Sequence, residues 1–166
     1  LDLSQCDDAE LASLAVAGHS QAFRQLMEGH KNAVFRLVRN NVGDPHEALD
    51  VVQETFVSAF AAISRYDSTR PFRHWISRIA LNKCRDWARR RAVRSFFRLA
   101  RPIEDGEDFE SHSPGPVQEA EDRSELDRLE RAIAELPQNL REVLILRAVE
   151  EISQAETAII LDISEK

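Results

Sequence analysis

Only three glycines and two prolines occur before residue 102, and over that stretch the large apolar residues recur at intervals of three and four. Such spacing stacks them on one side of a 3.6-residue helix, and no segment alternates as a half-buried strand would. The chain is therefore expected to be all-α. An opening helix starts near Asp8 with Leu11 and Leu14 inward. Ser20 is a plausible N-cap for a second helix, whose Phe23, Leu26, Met27, Val34, Leu37 and Val38 share a side before Asn40, Asn41 and Gly43. Asp44, Pro45 and Glu47 supply an acidic cap, a first-turn proline and a capping-box carboxylate for a third. Its core face is expected to be Ala48, Val51, Val52, Phe56, Ala59, Phe60 and Ile63. A fourth helix begins at about Phe72, after a break from Tyr66 to Pro71.

That fourth helix separates two chemistries. Phe72, Trp75, Ile76, Ile79 and Trp87 converge on one side, and His74, Arg78, Asn82, Arg85 and Arg89 line the other. Lys83 falls within the apolar arc and is expected to snorkel or to sit at the core's edge. The chain carries a formal charge of -7, yet Arg70 to Arg101 holds eleven lysines and arginines against the single Asp86. Few carboxylates lie within a helical turn, so these cations are expected to be unpaired, and phosphate is the natural neutraliser. A solvated helix face is the bland reading, and scattered or locally paired arginines would favour it. Tyr66, Asp67, Ser68, Thr69 and Arg70, beside an aromatic at the mouth of this helix, have the composition to hold an unstacked base, although ordinary turns share it. Asp50, Gln53 and Glu54 lie on the outer side of the third helix with no local basic partner.

Residues 102–121 hold three prolines, two glycines and seven carboxylates, the composition of a flexible acidic linker. Helical spacing returns with Leu126, Leu129, Ile133 and Leu136, then Leu140, Val143, Leu144 and Leu146. A capping box at Ser153 and Glu156 precedes Ala158, Ile159 and Leu161. Two small helical domains on a tether are expected, with bounds at 1–19 for an N-terminal segment, 20–95, 96–121 for the linker, and 122–166.

Enzymatic chemistry has no foothold. The five histidines are dispersed, and no HExxH, CxxC, phosphate-binding glycine loop or nucleophile elbow occurs, so neither cofactor nor metal is expected. Cys6 and Cys84 are too few and too far apart for a disulfide scaffold. No apolar run approaches the ~20 residues of a membrane helix, and the opening LDLSQCDDAELASLAVAG is acidic where a secretory signal is basic. The expectation is a cytoplasmic protein without membrane insertion.

The segments DPHEALDVVQETFVSAF and FRHWISRIALNKCRDWARRR resemble region 2 of bacterial RNA polymerase sigma factors of the extracytoplasmic-function group. LPQNLREVLILRAVEEISQAETAIILDIS is similar to their region 4 and its helix-turn-helix. The resemblance spans about residues 20 to 166. It implies an alternative sigma factor that recognises and melts the minus-ten element and contacts the minus-thirty-five element. Its partners would be promoter DNA, the polymerase core through the beta-prime clamp helices and the beta flap, and an anti-sigma factor. Asp50, Gln53 and Glu54 would dock on the clamp helices, and the loop from Ser64 to Pro71, with Tyr66, Ser68 and Arg70, would capture a flipped base. His74, Arg78, Asn82, Arg85, Arg89 and Arg90 would meet the DNA, and the acidic linker would lie in the polymerase channel. Asp162 stands where the family usually has glycine, and Ser164, Glu165 and Lys166 would only begin the recognition helix. Two rivals remain: an independent helix-turn-helix regulator, and a protein-binding helical adaptor, the latter favoured if the arginine stripe is matched by an acidic partner.

Overall fold

In the computed structural model, which describes residues 3–99 and 120–164, every regular element is helical. After a 3-10 turn at Leu3–Gln5, α1 (Asp8–Val16) begins with a reciprocal capping box between Asp7 and Glu10. Next come α2 (Ser20–Val42), α3 (Pro45–Ala62), a 3-10 turn at Ile63–Arg65, and α4 (Phe72–Leu99). The second unit contains α5 (Ala120–Glu135), α6 (Gln138–Leu144), a π turn at Ile145–Val149, and α7 (Gln154–Leu161).

The core of the first unit lies where α2, α3 and α4 meet, with α1 laid against α2. Leu26, Val34, Leu37, Val38, Ala48, Val51, Phe56, Phe72, Ile76 and Leu81 are buried there, each at the spacing that marks a helix face. Full burial of such a side chain contributes about 1.5–3 kcal/mol, which makes this packing, rather than helix propensity, the main source of stability. Gly43 ends α2 at φ +84°, donating its N–H to the Arg39 carbonyl at 2.8 Å, a conformation with little penalty only for glycine. Asp44 caps α3 by accepting from the His46 and Glu47 N–H groups at 2.8 and 3.2 Å, and the Glu47 bond is the chief cause holding its carboxyl below the usual range.

Three local expectations change. Ser20 is the first residue of α2 and His19 occupies the cap position without a side-chain hydrogen bond. Glu47 does not reach back to its own helix start, because its carboxylate accepts the Trp87 indole N–H from α4. Phe60 is half exposed, its ring meeting Phe23 edge-on at 5.0 Å, since none of the described elements covers α3 beyond that edge. Lys83 lies at the core's edge as expected, sharing a hollow with Asp50, Gln53, Glu54, Val57 and Ser58. Residues 100–119, most of the expected linker, fall outside the described residues, as do Glu165 and Lys166.

Cys84 faces this core at 2% exposure, and desolvation pushes its thiol up to about 12 from 9.0. A Cys6→Ser variant is therefore expected to react with a thiol reagent at neutral pH roughly a thousandfold more slowly than an unfolded control, since only thiolate attacks. Comparable rates before and after denaturation would show that Cys84 is not sealed.

Candidate nucleic-acid interface and polymerase-docking face

The loop before α4 is built around three rings. Tyr66 lies 5.4 Å from both Phe72 and Trp75, and those two are 5.5 Å apart, with Phe72 fully buried beneath. The Tyr66 hydroxyl donates to the Arg70 carbonyl at 2.6 Å, and Asp67 accepts from the Thr69 N–H at 3.0 Å and hydroxyl at 2.7 Å. These bonds, the hydroxyl's first, hold the Asp67 carboxyl below its usual range. Ser68 and Arg70 point to solvent, Arg70 with its Nε 3.6 Å from Asp67. The loop borders a hollow of about 180 Å³ whose walls include Tyr66, Arg70, His74, Trp75 and Arg78, closed on the far side by Ile159 and Ile160 of α7.

Along α4 the basic side chains share a face, but they are not unpaired. Arg85 donates through Nε to Glu142 Oε1 at 2.9 Å, and its second nitrogen reaches Glu142 Oε2. This hydrogen bond is the largest cause raising the guanidinium's pKa. Arg78 meets Asp162 at 3.0 Å, His74 meets Glu156 at 3.3 Å, and Arg73 meets Glu150 at 3.0 Å, with Arg36 of α2 on the same oxygen at 3.3 Å. Asn82 is exposed and accepts from Arg85 at 3.1 Å, Arg89 pairs with Asp86, and Arg90 lies 3.2 Å from Glu54. The expectation of an unpaired stripe is corrected by these contacts. For Arg73, His74, Arg78 and Arg85 the pairing was invisible locally because their carboxylates lie 57 to 84 residues downstream.

Glu142 and Glu150, 1% and 5% exposed, are the buried partners of this face that no local pattern marked. The π turn fits one extra residue into its turn, which changes the face on which the chain emerges, and Glu150 follows it directly. Ser153 and Glu156 form the expected reciprocal box, and the Ser153 hydroxyl bond is the main cause lowering the Glu156 pKa. Asp162 ends α7 in the left-handed region at φ 59°, which a short polar side chain tolerates in place of glycine.

Asp50 and Gln53 of α3 are exposed, while Glu54 is half-buried beside Arg90, a basic partner that comes from 36 positions along the chain and not from its own helix. An exposed ion pair of this kind contributes at most about 1 kcal/mol, so it does not lock either side chain. Beside this acidic edge runs an apolar groove of about 480 Å³, lined by Phe23, Met27, Leu49, Val52, Phe56, Val57 and Phe60. Leu49, Val57 and Phe60 are more than half exposed, an apolar patch that isolated surface residues do not make. No cluster of three metal-ligating side chains occurs among the described residues.

Two helical units, one with a basic α4 behind an aromatic loop and one with a helix pair ending in a left-handed turn, define a class. The Sigma-70 region 2 family matches residues 26–94, and the Sigma-70 region 4 family matches residues 126–166. The chain belongs to the RNA polymerase sigma factors, in their extracytoplasmic-function group, which direct the polymerase to specific promoters. It is 39% identical over 162 residues to the RNA polymerase sigma factor CnrH of Cupriavidus metallidurans, covering 96% of this chain and 85% of that one. It is 30% identical over 150 residues to the ECF RNA polymerase sigma factor SigW of Bacillus subtilis, covering 88% and 80%. The solved structure of CnrH in complex with the cytosolic domain of CnrY superposes with a TM-score of 0.68 over 95% of this chain and 84% of that one, at 34% identity. An engineered region 2 of sigmaE, solved in complex with GTAAAA, matches 54% of this chain and 94% of that one, at 31% identity and a TM-score of 0.52. The arginine stripe does meet acidic partners, as the adaptor reading required, but they belong to the same chain, and family membership favours the sigma factor over both rivals.

Proposed function

We propose that the work of this sigma factor divides between the two sides of its first unit, residues 20–95. The observation that carries the division is that α4 turns His74, Arg78 and Arg85 toward the second unit, while α3 bears an acidic edge, met by Arg90 at Glu54, beside an open apolar groove. On the α4 side, Asn82, Arg85, Arg89 and Arg90, with His74 and Arg78 nearer the loop, take the phosphates and bases of the minus-ten element. The Tyr66, Ser68 and Arg70 loop holds a base turned out of the stack. The binding of GTAAAA by the region 2 relative supports this assignment. On the α3 side, Asp50, Gln53 and Glu54 with the groove dock on the beta-prime clamp helices of the polymerase core, the groove providing burial and the carboxylates orientation. Residues 122–166 face the minus-thirty-five element and the beta flap, and residues 96–121 bridge the two units.

The protein is a non-enzymatic specificity subunit acting in the cytoplasm; no helix among the described residues is long and apolar enough to cross a membrane. An open apolar groove suits a restraining partner as well as polymerase, and the complex of CnrH with CnrY supports an anti-sigma factor for this chain. The deciding experiment adds the protein to core polymerase and measures initiation at a defined promoter. Charge reversal at Asp50 and Glu54 is expected to weaken core binding roughly tenfold, mainly through slower association, while the isolated chain keeps its helical signal and melting temperature. Unchanged affinity for core would remove these residues from the docking face.

A further inference from the structure

The last turns of α4 reverse its polarity. As far as Trp87 the apolar residues of this helix face α2 and α3, with Ile76, Ala80 and Trp87 buried. Phe96 follows Trp87 by nine positions, two and a half helical turns, and so emerges on the opposite side. Val93, with Phe96 and Phe97 three and four positions on, makes that side apolar, and the two rings meet edge-on at 6.0 Å. All three side chains belong to residues that are 55–68% exposed with the second unit in place. Arg91, with Arg94 three positions on, lines the adjoining side, and Ala88 to Phe97 contains no carboxylate. Arg91 lies over the Trp87 ring at 5.3 Å, and no ion pair among the described residues holds it or Arg94. Asp44 and Glu47 share a hollow with these two arginines but are already engaged, Asp44 by the first N–H groups of α3 and Glu47 by the Trp87 indole.

We infer that residues 91–97 are a seat for an anionic lipid surface, with Val93, Phe96 and Phe97 entering the acyl boundary and Arg91 and Arg94 meeting the headgroup phosphates. A helix whose apolar side is bordered by arginines lies in the plane of such a surface, its long cationic side chains reaching back to headgroup depth. The shape of the segment selects this occupant. It is a convex ridge that encloses no small ligand, and its phenyl and valine side chains offer a nucleic acid no hydrogen-bonding group. A second copy meeting it ridge to ridge would set Arg91 and Arg94 near their own images. A bilayer accepts a ridge without a preformed groove and supplies the negative charge beside it. So small an apolar contact makes the attachment weak and reversible, strengthened wherever a second tether holds the chain near the lipid. The seat stands apart from the DNA assignment, which uses none of Arg91, Val93, Arg94, Phe96 and Phe97.

The test uses the full chain and flotation with extruded vesicles. Vesicles of equal parts phosphatidylglycerol and phosphatidylcholine should carry the chain at low salt, and pure phosphatidylcholine should carry roughly tenfold less. Phe96→Ser with Phe97→Ser removes exposed rings, so the melting temperature should hold while binding to the anionic vesicles falls roughly tenfold. Arg91→Gln with Arg94→Gln should reduce binding about as much and abolish the preference for anionic lipid. In a Phe97→Trp variant, brominated lipid should quench fluorescence more strongly than in wild type, whose Trp75 and Trp87 pack in the bundle. Equal recovery with both vesicles, or undiminished flotation of the double serine variant, overturns the seat. It is overturned equally if wild type ignores lipid while the serine variant loses affinity for core polymerase or a promoter fragment, which gives the ridge to a protein or nucleic-acid partner. A dimer in sedimentation that the serine pair disperses, without vesicle binding, gives the ridge to a second copy and overturns the seat as well.

Discussion

Replacing Arg85 and Arg89 by alanine is expected to slow promoter opening by the holoenzyme roughly 10- to 100-fold, with α4 still folded. A good charged contact to DNA is worth about 1–3 kcal/mol, and each tenfold change corresponds to ~1.4 kcal/mol. Both side chains emerge from the α4 face remote from its buried residues Ile76, Ala80, Leu81 and Cys84, so their loss leaves no cavity. Each phosphate contact removed should also lower the salt slope of DNA binding by about 1, a signature that mere destabilisation does not produce. In the free chain the two substitutions differ. Arg89→Ala breaks an exposed pair with Asp86, whereas Arg85→Ala strips the buried Glu142 of its guanidinium and leaves only Gln138, which donates at 3.1 Å. Wild-type opening rates together with an unchanged salt slope in the double variant would take these arginines off the DNA surface.

The largest loss of stability is expected at Phe72. Its ring is 1% exposed and packs against Tyr66, Trp75 and His30 at centroid distances of 5.4, 5.5 and 5.1 Å. Truncation to alanine removes a large buried ring where helices already fixed by other contacts cannot close in, a change that costs about 3–5 kcal/mol. Because small domains are stable by only ~5–15 kcal/mol, the first unit should melt well over ten degrees lower or fail to fold. Phe72→Leu retains most of the burial and should recover much of the loss. The ring is also the floor of the Tyr66 loop, so Phe72→Leu at a temperature where the chain is folded should still weaken capture of an unstacked base. A melting point for Phe72→Ala within two or three degrees of wild type would contradict the packing.

What could be read along the chain was whatever depends on neighbours three or four positions away. The helix starts at Asp8, Pro45 and Phe72, the reciprocal cap of Ser153 and Glu156, and the burial of Leu26, Leu37, Val51 and Ile76 all follow from helical geometry acting locally. Asp162 in the left-handed turn belongs to the same group, because the tolerance lies in the residue itself. The separation of α4 into apolar and cationic faces was equally legible, and with it the candidate DNA-facing residues. The exposure of Phe60 was not, because periodicity gives the side of a helix on which a residue lies but not whether another element covers it. Glu47 likewise left its expected cap for Trp87, forty positions away, a partner no local pattern names.

The sequence by itself determined the all-helical character, the two units and the charge asymmetry, since each is a property of short windows or of composition. Only the tertiary structure decided where the asymmetry goes. Pairing Arg85 with Glu142 and Arg78 with Asp162 closes loops of 57 and 84 residues, and Glu150 joins Arg36 and Arg73 only because a π turn changes the face it emerges on. Coulomb attraction depends on distance in space, and in this chain that distance is set by how the helices pack, so an apparently unbalanced stripe became a matched interface.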